Sequence, residues 1–176
     1  SNLDELKGWK YVVQAYKELP DIYKQHIKLH LVGKVDQKDK PKLDRMLENT
    51  PVSQIEYYGF INNAGDSVTP YLNLIILPSL SEGIPMCLLE ALANSIPILA
   101  TNVGGISEIL KDSYNGFFIE RDAKMIQKKI MEIYDDPKLY QDMKFHAKKS
   151  FEQYFSAPEM HGAYLKYYEK IVEGLI

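Results

Sequence analysis

Two glutamates and a lysine are the residues of this chain with the types and spacing to do chemistry. Glu82 and Glu90 flank a Gly83-Ile84-Pro85 turn, with seven residues (83 to 89) between them. The turn follows the apolar run Leu74-Ile75-Ile76-Leu77, which reads as a buried strand. Pro85 suits the first position of a helix, so a helix is expected from Met86 to Ala93. Every residue of that helix is apolar except Glu90, which predicts burial all round. A carboxylate in such surroundings needs hydrogen-bond donors or it loses its charge. The segment Gly83-Ile84-Pro85-Met86-Cys87 opens a helix, and the free N–H groups there, which Pro85 itself lacks, suit a phosphate. Glu82 has a plainer reading too, as a capping carboxylate on that helix. Lys7 precedes Gly8-Trp9 and a second amphipathic helix, where an ammonium can offset negative charge.

The elements that must position these residues alternate. Helical spacing of Trp9, Val12, Val13, Tyr16 and Leu19 ends at Pro20. Strands are expected at 26–32, 55–58, 74–77, 97–100 and 117–119, and residues 1–6 suggest no element. Shorter helices are expected at 41–48 and 67–73, with Ser107 capping another through Leu110. Asn115-Gly116 reads as a turn. Beyond Asp122 the pattern is helical, broken at Asp135-Asp136-Pro137, with a second helix to about Phe155 and a last one at 158–174. Strand–helix alternation with short apolar strands predicts an α/β fold: a Rossmann-like parallel sheet with helices on both faces. Gly33, Gly59, Gly83 and Gly104-Gly105 each follow a strand, so they converge on one rim.

Composition narrows the class. A chain of 176 residues with 45% hydrophobic content suits one domain, 1–176, with a full core. The net charge of −3 gives no footprint for nucleic acid or an anionic membrane. The single cysteine, Cys87, excludes an internal disulfide, and it reads as a small buried residue rather than a nucleophile. The four histidines show no metal-ligand spacing. No stretch reads as a signal peptide or a membrane span, so the cytoplasm is the expected compartment, with peripheral membrane attachment through another part of the protein left open.

Taken in order, Lys7-Gly8, Leu31-Val32-Gly33, Tyr58-Gly59, Pro78-Ser79, Glu82-Gly83-x-Pro85, Glu90 and Pro97 through Gly104-Gly105 resemble retaining GT-B glycosyltransferases. This is the large group that includes sucrose and glycogen synthases. The resemblance spans most of the chain and is to the C-terminal, donor-binding half. It implies sugar transfer from a nucleotide-diphosphate sugar to an acceptor hydroxyl, with retention at the anomeric carbon, in polysaccharide or glycoconjugate synthesis. By resemblance, Glu90 holds the ribose, Glu82 contacts the transferred sugar, and Lys7 meets the diphosphate. The 83–87 turn takes the donor phosphate and sugar. Gly33, Gly59, Phe60 and Ile61 seat the base, although Phe60 reads equally as core. The resemblance implies no metal and no cofactor. It implies an N-terminal acceptor-binding half as partner, and a central first strand ahead of Lys7 that residues 1–6 do not supply. Asn2 falls near the family's usual arginine. Met160, Tyr164, Tyr167, Tyr168, Ile171 and Leu175 form an apolar helix face expected to stay exposed or to meet a partner. The competing readings are half of a nucleotide-sugar epimerase and a non-catalytic nucleotide-sugar binding module.

Overall fold

In a computed structural model, Leu3 and residues 5–173 are described. Among them are five strands: β1 (Leu29–Val32), β2 (Ile55–Gly59), β3 (Ile75–Leu77), β4 (Ile98–Ala100) and β5 (Gly116–Phe118). The helices are α1 (Trp9–Lys17), α2 (Asp21–Lys24), α3 (Lys40–Leu47), α4 (Ala64–Ser67), α5 (Met86–Ala93), α6 (Ile106–Ile109), α7 (Ala123–Asp135), α8 (Pro137–Ser150) and α9 (Ala157–Val172). All strand pairs are parallel: β1 with β2, and β3-β4-β5 in that order.

Alternation along the strands sends side chains to two opposite cores. Leu99 joins the cluster of Trp9, Val12, Val13 and Tyr16 from α1 with Ile126, Ile130 and Ile133 from α7. Its neighbours Ile98 and Ala100 join Leu88, Ala91 and Leu92 from α5 with Ile106 and Ile109 from α6. Helices therefore cover both faces, as strands of continuous apolar sequence require.

Leu3 and Leu6 tie the two sheets together at their C-terminal ends. The Leu3 N–H donates to the Lys34 carbonyl, and the Leu80 N–H donates to the Leu6 carbonyl, both at 2.7 Å. Asn2 lies outside the described residues.

Several local expectations are corrected. Residues Glu5–Lys7 form a 3-10 turn. Gly105, not Ser107, caps α6. The helix expected to reach Phe155 gives way at Ser150 to a π-helical turn, Phe151–Phe155. The short helix expected at 67–73 is split into α4 and a 3-10 turn, Thr69–Tyr71. Asn115 lies in the expected turn before β5 and is fully buried. Its amide nitrogen donates to the Ile109 carbonyl at 3.0 Å and to Ser150 Oγ at 3.2 Å, and its oxygen accepts from the Lys111 N–H at 2.8 Å. It thus joins α6, the β5 loop and α8. Asn115→Leu removes these bonds and strands buried groups, so urea denaturation should show a loss of roughly 2–3 kcal/mol.

Candidate functional site

The turn between β3 and α5 is built by close backbone contact. Gly8 has φ of +67°, and a Cβ there would stand 2.2 Å from the Pro78 carbonyl oxygen. Gly104 has φ of +54°, and its Cβ would stand 1.8 Å from the Glu82 carbonyl oxygen. The Gly105 N–H donates to the Gly83 carbonyl at 2.9 Å. Glycine at positions 8 and 104 thus lets the loops before α1 and after β4 press on the Pro78–Gly83 segment from either side.

This packing brings Lys7 to Glu82. Lys7 Nζ donates to Glu82 Oε1 at 2.7 Å, and the side chains are 24% and 8% exposed. The Ser79 hydroxyl donates to the same oxygen at 2.6 Å. Charge-assisted bonds of this kind strengthen as water is excluded. The capping role for Glu82 is not seen: the N-cap of α5 is Pro85, with no side-chain cap bond. Among the described residues, no side chain bonds the first-turn amides of α5. Open space borders the turn, since nothing lies within 4 Å of where a Cβ on Gly83 would stand.

Glu90 is half-buried one face away. Its carboxylate lies against Gly65 of α4, where an added Cβ would come within 2.6 Å of its Cδ. Among the described residues, no side-chain hydrogen bond or ion pair occupies this carboxylate. Cys87 lies within electrostatic reach of both glutamates. Burial, reinforced by the charges of Glu82 and Glu90, pushes its thiol up to about 11. The thiol is therefore protonated at neutral pH.

At the ends of β1 and β2 the Gly33 N–H donates to the Gly59 carbonyl at 2.8 Å, which joins the two loops expected to seat a base. Phe60 is 65% exposed, so it is not core; Ile61 is half-buried. Burial all round α5 is also corrected. Met86 is 64% exposed, as is Ile84 in the preceding turn at 56%, because the helix opens at the rim rather than inside. Three residues were missed by the sequence reading: Ser79 as a ligand of Glu82, Thr101 behind it, and Gly65 beneath Glu90. Ser79 and Thr101 each stand just past a strand end, and Ser79 is three residues before Glu82, the signal that was available. Gly65 lies far from Glu90 in the chain, and only folding pairs them.

Among the described residues, no group of three or more His, Cys, Asp or Glu side chains is placed to hold a metal ion. No helix among them is long and apolar enough to cross a membrane.

A parallel α/β sheet covered by helices on both faces defines a Rossmann-like class of domain, and here carboxylates, an ammonium and helix-start amides stand on its C-terminal rim. The sequence model described as Glycosyl transferases group 1 matches residues 1–150, and the chain belongs to that family. It is 29% identical over 169 residues to an uncharacterized glycosyltransferase, MJ1178, of Methanocaldococcus jannaschii, covering 94% of this chain and 45% of that protein. The chain thus spans about half the length of the curated relatives it matches. Two solved structures share the fold. Anabaena Alr3699/HepE in complex with UDP has a TM-score of 0.85 at 17% identity, covering 97% of this chain and 47% of that one. The C-terminal domain of the group 1 protein LpcC from Francisella tularensis has a TM-score of 0.79 at 22% identity, covering 89% and 83%.

The Cys87 environment makes a simple prediction. A raised thiol pKa leaves about one thiolate in a thousand at pH 8. Ellman's reagent should label the native protein far more slowly than the protein in denaturant, with the native rate rising as pH approaches 11.

Proposed function

We propose that this domain binds a nucleoside-diphosphate sugar on its rim and is the C-terminal, donor-binding half of a retaining glycosyltransferase of polysaccharide or glycoconjugate synthesis. The observation that carries the reading is the Lys7–Glu82–Ser79 cluster beside the uncapped start of α5. It supports a division of labour. The α5 amides and Lys7 take the diphosphate and offset the charge that builds on it as it leaves. Glu82 faces the transferred sugar and stabilises the oxocarbenium-like charge at its anomeric carbon. Glu90 takes the ribose hydroxyls, and the base rests on the Gly33 and Gly59–Ile61 loops. The leaving diphosphate then helps to deprotonate the incoming acceptor hydroxyl on the same face of the sugar, which retains the configuration. The reading calls for neither metal nor cofactor, because Lys7 and the amides supply the positive charge. The UDP in the complex of the structurally similar HepE supports a nucleotide donor here. Family membership favours this reading over the epimerase and the non-catalytic module, and product analysis separates the three.

Acceptor binding is assigned to a second half, since the relatives are about twice this length. The face for that half is α9. It has no buried residue, and Met160, Tyr164, Tyr167, Tyr168 and Ile171 are all exposed on it. Leu175 lies outside the described residues. Exposed apolar area of this kind favours a partner surface. Tyr164→Ser with Tyr168→Ser should leave the melting temperature of this chain unchanged and lower that of the chain joined to its acceptor half. Equal shifts in both would refute the assignment.

Calorimetry with nucleoside diphosphates tests the donor site. Charged hydrogen bonds are worth about 1.5–3 kcal/mol each, so Glu90→Ala should weaken binding roughly tenfold or more. Unchanged affinity in a folded variant would remove Glu90 from the ribose. Product measurements on this chain alone should show binding without sustained transfer, because no acceptor is held near the anomeric carbon.

A further inference from the structure

The sugar contact proposed for Glu82 depends on how its carboxylate is aimed. Among the described residues, the bonds to this carboxylate fall on Oε1: Lys7 donates at 2.7 Å and Ser79 at 2.6 Å. Ser79 is itself held, because the Thr101 hydroxyl donates to its carbonyl at 2.6 Å. Both are enclosed: Ser79 is 0% exposed and Thr101 6%. A hydroxyl shut away from water has no alternative partner there, so the bond it makes sets its direction. Thr101 also opens the loop whose Gly105 N–H bonds the Gly83 carbonyl, so one loop braces the turn on both sides of Glu82.

The structure assigns Ser79 and Thr101 as positioning residues for Glu82: they hold Oε1 and so turn Oε2 to the transferred sugar. This rests on the reading of Glu82 as the sugar contact. A carboxylate whose one oxygen is committed to two donors has its other oxygen left for substrate hydroxyls. The open space beside Gly83 is where that sugar would lie. Among the described residues, the carboxylate without Ser79 would keep Lys7 alone, on a flexible stem that the diphosphate also draws on, and it would swing away. Ser79 and Thr101 are buried and their hydroxyls bond Glu82 and the Ser79 carbonyl, so the effect passes through Glu82.

The test separates aim from mere stability. Calorimetry would compare nucleoside diphosphates with their sugars (UDP, GDP, ADP and CDP series), using the pair that the unaltered chain binds most tightly. Ser79→Ala and Thr101→Val should bind the diphosphate within about twofold of normal and lose about tenfold for the nucleotide sugar. Thr101→Ser, which keeps the hydroxyl, should restore it. Ser79→Ala added to Glu82→Gln should cost no more than Glu82→Gln alone, since both act through one carboxylate. Melting curves identify any variant that fails to fold; Thr101→Val keeps the side-chain volume and carries the test if Ser79→Ala is lost. Equal weakening of both ligands, or no weakening of either, would overturn the assignment. If Glu82→Gln leaves the sugar's contribution intact, or no nucleotide binds, the reading of the site itself falls, and the assignment with it.

Discussion

The structure depends on one steric constraint: the Pro78–Gly83 backbone is pressed between two glycines. Real Cβ atoms essentially never come within 3.0 Å of another heavy atom, and a Cβ at Gly8 or Gly104 would come within 2.2 Å or 1.8 Å of a carbonyl oxygen. Two loops remote in sequence can therefore lie directly on the turn. Each brings a polar neighbour with it. Lys7 arrives with Gly8, and Thr101 arrives with the Gly104-Gly105 loop. The chemistry of the rim follows from backbone approach, and the side-chain bonds then secure what the packing has brought together.

The distribution of burial at the rim is opposite to that of the core. Below it, Leu88, Ala91, Leu92, Ile98, Leu99 and Ile106 are shut away from water. At the rim, Ile84, Met86 and Phe60 are exposed while the Glu82 carboxylate is largely covered. A covered charge interacts more strongly with its neighbours than one in water. It also costs free energy to keep there, which explains why Glu82 is given both an ammonium and a hydroxyl. Glu90 is only half-buried and takes neither. The two carboxylates differ in their surroundings: Lys7 and Ser79 both donate to one oxygen of Glu82, whereas among the described residues no side chain bonds the Glu90 carboxylate.

The architecture links this rim to the body through β4. Its alternate side chains enter the two helical layers, and its end carries Thr101. Any change that shifts β4 therefore reaches the turn beneath Glu82. Asn115 does similar service on the far side, joining α6 to α8 through buried bonds. The apolar surface of α9, by contrast, takes no part in either layer.

The sequence by itself determined the elements and the class. Strand–helix alternation, the glycines after strands, and the ordered motifs from Lys7 to Gly105 were enough to give a parallel α/β domain of the glycosyl transferase group 1 family. Those signals are local or strictly ordered along the chain, so they can be read without coordinates. Only the tertiary structure decided which groups meet. Glu82 could cap a helix or bind a partner with the same sequence; packing through Gly8 gave it Lys7. Gly65 looks like any turn glycine until Glu90 is found lying on it. Asn115 reads as a turn residue and is one, but only the packing of α8 decides that it is buried. Phe60 and Met86 look like core because apolar residues usually are, but their elements open at the rim. Each of these depends on contacts between segments far apart in the chain, which local pattern does not carry.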